Sequence, residues 1–207
     1  MVQHNLVIKM KKMKKYLVNA LLLLSLSCVA QSPIISLQDY HNISNVANGT
    51  YAKDLTNYYT PYIGIWIWES GNNKLEIKFE KLSQVYNGEV YKDYLIGKYK
   101  YTKDGVVLHN SLNYPITSLN YSKYSYTVFV CLGFHTDLEI FSRFKDEQKR
   151  QSLNAFFKLI NPVVVNGIYT TNTIKMRTSL ITHLDFTGTN TSLPGLNYPR
   201  EVILTKQ

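Results

Sequence analysis

The sequence contains little cysteine, and this excludes two common ways of stabilising a small domain. Only Cys28 and Cys131 occur among the 207 residues. A disulfide framework needs several pairs, and structural zinc needs ligands at short Cys/His spacings. Cys131 lies in the apolar run 128–132, where a thiol typically behaves as a small buried hydrophobe. We therefore predict no internal disulfide and no metal site.

The sequence also lacks the short motifs that mark common catalytic sites. It has no Gly-rich phosphate loop, no Gly-x-Ser-x-Gly elbow and no His-Glu-x-x-His signature. His135 and Asp137 would share one face of an extended segment, but the sequence shows no further partners for them. Glu76 and Glu80 also share a strand face, yet lysines are interleaved there, which is typical of a solvated face. We expect no catalytic residue and no cofactor.

Acidic residues are absent from the first 30 positions, and this inflates the net charge. Those positions hold five lysines, while residues 31–207 carry the remaining 18 basic and 14 acidic side chains, a net charge of +4 out of +9 for the chain. A small net charge without a basic stripe is typical of an ordinary soluble surface. Nucleic acid is therefore not an expected partner.

Long hydrophobic runs are missing, with one short exception near the start of the chain. Residues 16–26 are mostly apolar, follow the lysines and precede small residues. A membrane-spanning helix needs about 20 apolar residues, whereas a basic segment, a short apolar run and small residues are typical of a secretory signal peptide. We predict a signal peptide at 1–30, starting at Met1 or Met13. The protein is then exported to the periplasm or the cell exterior, or anchored to the outer membrane.

The end of this segment is compatible with two processing routes. Ordinary cleavage before Gln31 would use Ala30 and Cys28 as the small residues of the cleavage site. Alternatively, residues 25–28 (Ser-Leu-Ser-Cys) resemble a bacterial lipobox, in which the Cys is lipidated and becomes the new N-terminus, although Ser25 replaces the usual aliphatic residue. Acyl chains anchor a protein by burying methylenes worth about 0.8 kcal/mol each. Lipidation at Cys28 is the only membrane contact that the sequence predicts.

The rest of the chain shows the alternation that is typical of β-strands. Leu75, Ile77 and Phe79 alternate with charged residues, so one face is apolar and the other is solvated. The preceding residues 63–68 are apolar on both faces, so this strand is covered on both sides or closes a barrel. Turn signals such as Asn87-Gly88 and Asn166-Gly167 separate further strands.

These patterns predict an all-β domain over residues 61–207. The short strands and frequent turns fit an up-and-down barrel or a sandwich. We prefer an antiparallel meander of about 8–10 strands that closes into a lipocalin/calycin-like barrel. An extended polar lead-in at 31–60 precedes it, with Asp54 capping one helical turn. The segment 145–160 alternates as a strand but also fits one face of a helix. We prefer a charged turn followed by a strand, because a helix would interrupt the meander.

Several segments resemble a known family. They are 28–31 (Cys-Val-Ala-Gln), 91–101 (Tyr-Lys-Asp-Tyr-Leu-Ile-Gly-Lys-Tyr-Lys-Tyr) and the C-terminal 199–207. Together with Gly64-Ile65-Trp66 they resemble a secreted or lipoprotein family of Bacteroidota-type bacteria that is filed only as a domain of unknown function. This resemblance implies no activity and no catalytic residues.

The residues Gly64-Ile65-Trp66 are also similar to the Gly-x-Trp signature of lipocalins. That resemblance implies structural roles for Gly64 and Trp66, with the Trp packed at the closed end of the barrel. It further implies that an Arg from late in the chain, Arg177 or Arg200, stacks on the Trp ring.

Three classes of function are compatible with this sequence. The first is a non-enzymatic envelope protein that binds a small apolar or aromatic ligand in the barrel mouth through Tyr94, Tyr99, Tyr101 and Tyr124. Tyrosine suits such a site because its ring packs against an apolar guest while its hydroxyl is hydrogen-bonded. The alternative is a structural or interaction protein of the envelope with a solid core. The third is an enzyme with a dispersed site. The sequence leaves the oligomeric state open.

Overall fold

A computed structural model describes residues 32–40, 43, 45–117, 128–136, 138–146, 149, 151–181 and 196–207. Residues Ile34–Gln207 form one compact unit. Its strands are β1 (Ile34–Ser36), β2 (Tyr51–Lys53), β3 (Gly64–Ser70), β4 (Asn73–Tyr86), β5 (Tyr91–Lys103), β6 (Val106–Asn110), β7 (Phe129–Thr136), β8 (Glu139–Asp146), β9 (Gln151–Leu159), β10 (Val163–Val165), β11 (Ile168–Thr170), β12 (Thr173–Ile181) and β13 (Glu201–Lys206). A four-residue helix α1 (Leu37–Tyr40) and a 3-10 helix (Thr60–Tyr62) precede β3. No helix within these described ranges is long and apolar enough to cross a membrane.

Eight of the strands close into an antiparallel barrel. Each of these strands pairs with the following member of the set, which in chain order is β3, β4, β5, β7, β8, β9, β12 and β13. Strand β13 then pairs with β3, where Thr205 lies opposite Ile67 and Lys206 opposite Trp66. This up-and-down order confirms the predicted lipocalin/calycin-like barrel. Closure also removes the unpaired strand edges that promote aggregation.

The first predicted hairpin is present as β3 and β4. Leu75, Ile77 and Phe79 point into the barrel and are buried, as the alternation predicted. Ile65 on the outer face of β3 and Ile63 just before this strand each retain 36% of their surface. The sequence offered two explanations for the apolar residues on both faces of this strand. Closure of a barrel is correct, and burial of the strand on both sides is wrong.

Within the segment 145–160, Gln151–Leu159 form strand β9, as preferred over a helix, while residues 145 and 146 end β8. Strand β9 pairs with both β8 and β12. Its alternate side chains Leu153, Ala155, Phe157 and Leu159 are all buried. A helix at this position would leave the facing edges of β8 and β12 unpaired, so the barrel selects the strand.

Gly97 of β5 lies at a close approach between neighbouring strands. A Cβ atom at Gly97 would lie 2.6 Å from Cε1 of Phe79 and 3.2 Å from Cβ of Phe129. Gly97 is paired with both of these residues, on β4 and β7 respectively. The missing side chain therefore provides the space for two aromatic neighbours in the barrel interior.

Part of the predicted lead-in joins the sheet, which differs from the extended tether that we expected. Strand β1 pairs with β2, and β2 pairs with β5, both in parallel. The side chains of Leu37, Ala52 and Tyr59 are buried in the main core, because they fill one end of the barrel. The predicted N-cap role of Asp54 was wrong, because the 3-10 helix Thr60–Tyr62 has Tyr59 at its N-cap without a side-chain hydrogen bond. The Asp54 carboxylate instead accepts hydrogen bonds from the backbone N–H groups of Tyr58 (2.7 Å) and Tyr59 (3.2 Å) in the turn before that helix.

The barrel has two ends, a base and a mouth, which differ in the strands that begin and end there. The base is the end where β3 begins and β13 ends, and the Nζ atom of Lys206 there lies 3.4 Å from the carbonyl oxygen of Pro61. The mouth is the opposite end, where β12 ends and β13 begins. The β10–β11 hairpin joins β9 to β12 at the base and turns at Asn166 and Gly167, as predicted. Strand β6 pairs with β5 near the mouth.

Candidate functional site at the barrel mouth

Tyr99, a predicted ligand residue, lies in the middle of the barrel core. Its side chain is 0% exposed. The centre of its ring is 4.2 Å from that of His109, 4.7 Å from that of Phe129 and 6.0 Å from that of Tyr198. Its hydroxyl oxygen lies 3.1 Å from that of Tyr198. A ligand could contact Tyr99 only by displacing these rings.

Tyr101, one step nearer the mouth, is covered by the segment 196–200. The ring of Tyr198 stacks on that of Tyr101 with 4.7 Å between the centres. The Tyr101 hydroxyl donates a hydrogen bond to the carbonyl of Asn197 (2.9 Å). Burial raises the pKa of Tyr101, so its hydroxyl stays protonated and remains a donor at neutral pH. Tyr99 and Tyr101 are thus brought together, and Tyr198 closes the barrel over both.

Two further contacts hold this closing segment in place. The buried carboxylate of Asp146 accepts hydrogen bonds from the backbone N–H (3.3 Å) and the side-chain amide (3.1 Å) of Asn197. Thr178 donates its hydroxyl to the carbonyl of Pro199 (2.8 Å). The segment is therefore attached to the ends of both β8 and β12.

A cleft of about 580 Å³ opens beside the closing segment. Its described lining consists of Thr178, Ser179, Leu180, Leu196, Tyr198 and Arg200. Leu180 and Leu196 form an apolar wall with the edge of Tyr198, and the exposed Arg200 lies at the rim. The volume falls within the range of about 300–1,000 Å³ that is typical of ligand pockets. The sequence did not predict this cleft, because Leu196 and Tyr198 lie outside any strand pattern and the cleft forms only when their segment meets β12. The aromatic Tyr198 in that segment was the one available signal.

Tyr94 is not part of this site. Successive strand residues point to opposite faces, so Tyr94 lies on the outer face of the barrel, opposite to Tyr99 and Tyr101. It packs there with Val85, Ile96 and Val130, and the Nζ atom of Lys92 lies 5.4 Å from the centre of its ring. Tyr124 and the lipidation candidate Cys28 lie outside the described residues.

Trp66 is buried at the base of the barrel, as predicted. Its side chain is 0% exposed, and the indole N–H donates a hydrogen bond to the carbonyl of Tyr62 (2.6 Å). The Nζ atom of Lys206 lies 5.2 Å from the centre of the Trp66 ring. Gly64 makes room for this side chain, since a Cβ atom there would lie 2.9 Å from Cε of Lys206. Its φ of +128° is also a conformation that favours glycine.

The prediction that an arginine covers Trp66 was wrong. Arg177 lies instead over Phe156, with 5.6 Å from its Cζ atom to the ring centre, and forms an ion pair with Glu139 at 2.7 Å. Arg200 precedes β13 and is six residues before Lys206, about 20 Å away along a strand. Lys206 takes the position because the β13–β3 register places it opposite Trp66.

A buried cluster of charged residues at the base was also missed. The carboxylate of Asp93, 1% exposed, accepts hydrogen bonds from the hydroxyl of Tyr51 (2.6 Å) and the backbone N–H groups of Asp54 and Gln84 (both 3.1 Å). The Nζ atom of Lys81 lies 3.5 Å from one carboxylate oxygen of each aspartate. Burial raises the pKa of Tyr51, and Asp93 adds to the effect. Because these hydrogen bonds come from Tyr51, Asp54 and Gln84, the cluster attaches the lead-in to β4 and β5.

The groups that we expected to be inert show no reactive geometry. Cys131 is buried and donates to the carbonyl of Gly133 (3.4 Å), and burial raises its pKa to about 11. Glu80 binds Lys98 (2.6 Å) and Lys78 (2.7 Å) on the outer face, which confirms the predicted solvated strand face.

Metal ligation was examined wherever side chains are described. No group of three or more His, Cys, Asp and Glu residues there could hold a metal ion. The side chains of His135 and Asp137 lie outside the described part of the chain.

Comparison with known proteins gives a family but no activity. A model of a family of unknown function, DUF6705, matches residues 10–207. No curated protein and no solved structure matches the chain. Since the match covers almost the whole sequence, the chain belongs to the DUF6705 family of unknown function.

Proposed function

We propose that this protein is a non-enzymatic, exported protein of the bacterial envelope that acts through its outer surface, as a structural or interaction protein. The supporting observation is the packed interior. Around Tyr99, the rings of Phe129, Phe144 and Tyr198 occupy the space in which a calycin barrel would hold a ligand. A barrel of about eight strands either fills itself in this way or holds one small ligand. Export is inferred from the signal-peptide pattern at 1–30.

The mouth cleft supports a second candidate function, the binding of a small ligand outside the packed core. Leu180 and Leu196 offer an apolar wall, and Arg200 offers a cation at the rim. A ligand with an apolar or aromatic body and an acidic group would match this arrangement, because the guanidinium group binds carboxylates through paired hydrogen bonds. The ligand would contact Tyr198 and leave Tyr99 buried.

Native mass spectrometry of the mature protein, purified from its own host, separates the two candidates. A protein that acts only through its surface is expected to show the mass of the processed chain alone. A retained small molecule would contradict that candidate and support ligand binding. Leu180→Trp, which fills the cleft, should then abolish retention. The control variant Leu132→Trp, at an exposed position on β7, should not.

The same spectra test export. Cleavage before Gln31, or a lipidated Cys28 at the N-terminus, is the expected result. A mature protein from the envelope fraction that retains residues 21–24 would contradict the proposed signal peptide.

A further inference from the structure

The β10–β11 hairpin is an exposed apolar element without charge. Val163 and Val164 each retain 61% of their surface, and Val165 retains 51%. Residues 159–174, between Lys158 and Lys175, include no charged side chain, although 18% of the whole chain is charged. Soluble proteins usually protect exposed apolar strands with charges or cover them. The absence of both from this hairpin indicates contact with an apolar partner.

The apolar surface of the hairpin extends over both of its faces. Strand alternation places Val163 and Val165 on one face and Val164 on the other, yet all three are exposed. Tyr169, which pairs with Val164, is also exposed. A protein partner would cover one face of such a two-stranded ribbon. A lipid surface, by contrast, surrounds an inserted tip from all sides.

The position of the hairpin also favours a lipid surface. Gln38 of helix α1 and Tyr169 of the hairpin line one groove of about 240 Å³ at the base. A lipidated Cys28 would lie close to this point in the chain, since only five residues separate it from Ile34, a distance of six residue steps. Six extended residues span at most about 20 Å. A lipid attached to Cys28 would therefore hold the base of the barrel, with its hairpin, close to the bilayer.

We propose that the β10–β11 hairpin docks onto the membrane surface and inserts its valines and Tyr169 at the headgroup boundary. The proposal rests on the proposed envelope function and names a lipid surface as the partner. Unpaired backbone groups of the hairpin edges need water or headgroups, so the insertion is shallow, about 5–10 Å. Stable anchoring by acylation takes two signals, and the hairpin supplies the second beside lipidation at Cys28.

Tryptophan fluorescence in the full chain tests this contact at single positions. Val164→Trp reports on the hairpin. Val106→Trp is the matched control, because Val106 is also 61% exposed but lies on β6 near the mouth. The native Trp66 is buried and Trp68 is partly buried; both are present in each variant and are subtracted as the wild-type background. The probe is a vesicle of phosphatidylethanolamine and phosphatidylglycerol, with or without bromine on the acyl chains.

We expect brominated vesicles to quench the added emission of Val164→Trp about twofold and to leave that of Val106→Trp unchanged, because quenching needs insertion to the acyl boundary. The apolar leucines at 21–24 are expected to bind the unprocessed chain to vesicles in both variants, so binding alone does not test the hairpin. The depth of insertion of each added tryptophan is therefore the informative measurement. Equal quenching at both positions, or none at Val164→Trp, would overturn the proposal. Val163→Trp, at an equally exposed position, replaces Val164→Trp if that variant does not fold.

Two further readouts separate the remaining outcomes. If Val164→Asp converts a dimer into a monomer in vesicle-free light scattering while Val106→Asp does not, the hairpin binds a second copy and the lipid proposal is overturned.

The mass of the mature protein identifies its N-terminal residue and so tests export independently. A processed N-terminus without quenching contradicts the hairpin proposal alone. Quenching in a chain that the host leaves unprocessed supports membrane docking and contradicts export.

Discussion

At the base, apolar side chains such as Tyr59 and Trp66 fill the barrel, and a charged cluster in which Asp93 and Asp54 share Lys81 joins the lead-in to the sheet. At the mouth, the barrel is closed largely by neutral groups, since Tyr198 stacks on Tyr101 and meets the hydroxyl of Tyr99. Hydrogen bonds to charged groups contribute about 1.5–3 kcal/mol, whereas neutral ones contribute about 0.5–1.5 kcal/mol. The base should therefore be the firmer closure.

This difference assigns separate tasks to the two ends. The base attaches the lead-in and the β10–β11 hairpin to the barrel, which suits the end proposed to face a membrane. The mouth leaves a cleft beside its closing segment, which suits the end where a small ligand could bind. The packed rings between them keep the two ends independent. Substitutions at each end should therefore differ in cost.

The largest effect is expected from Trp66→Ala at the base. Removing the fully buried ring should lower the free energy of unfolding by about 3–5 kcal/mol, because it leaves a cavity and loses the transfer energy of the ring. Trp68→Ala is the control, since Trp68 is only partly buried and should cost less. Urea denaturation measures both. Equal costs would show that the base does not depend on Trp66.

A pair of isosteric substitutions compares the two closures directly. Asp93→Asn replaces a carboxylate that accepts three hydrogen bonds and should cost about 2–3 kcal/mol, while Tyr99→Phe removes one neutral hydroxyl contact and should cost about 1 kcal/mol. Urea denaturation at neutral pH gives both values. A larger cost for Tyr99→Phe than for Asp93→Asn would reverse the proposed order of the two ends.

Alkaline pH should weaken the base through its buried tyrosines. Burial raises the pKa of Tyr59 and Tyr62 above the ordinary value of 10.0. Below pH 10 both states keep these protons, so this stabilising contribution is fully present. Above pH 10 the unfolded chain releases them while the folded protein does not. The free energy of unfolding then falls by about 1.4 kcal/mol per pH unit for each tyrosine.

Denaturation midpoints measured from about pH 9 to about pH 11.5 would show this decline. In Tyr62→Phe, the free energy of unfolding should fall less steeply with pH, by the contribution of one tyrosine. A slope that is the same in the wild type and in this variant would contradict the proposed burial of the phenol.

An effect of opposite sign is expected from the same variant at neutral pH. The hydroxyl of Tyr62 is buried and has no hydrogen-bond partner within the described part of the chain. Tyr62→Phe should therefore raise the free energy of unfolding by about 1 kcal/mol, since an unsatisfied buried polar group is removed. Thermal unfolding at neutral pH checks the sign. Destabilisation would show that the hydroxyl has a partner.

The features that the sequence could predict depend on local patterns. The alternation of Leu75, Ile77 and Phe79 has the period of a strand, so it indicated both the strand and its buried face. The turn at Asn166 and Gly167 depends on two adjacent residues and was equally visible. The preference for a strand at 145–160 required only that neighbouring segments pair. Together these local signals were enough to predict the barrel.

The features that could not be predicted depend on distant pairing. Tyr198 meets Tyr99 across 99 positions of the chain, so its place in the core could not be inferred from its loop. Asp93 lies beside Lys92 in the sequence and looks solvated until the lead-in covers it. Lys206 replaces the expected arginine because of the β13–β3 register, and register between distant strands is not visible in one sequence.

A crystal structure of the mature protein, purified from its own host, would test the central claim that the barrel interior is filled and that function lies at its surfaces. The predicted result is that Tyr99 and Tyr198 keep their hydroxyl contact and that no density other than protein and water lies among the surrounding rings. A small molecule in the interior, with Tyr99 or Tyr198 moved aside to admit it, would contradict the claim.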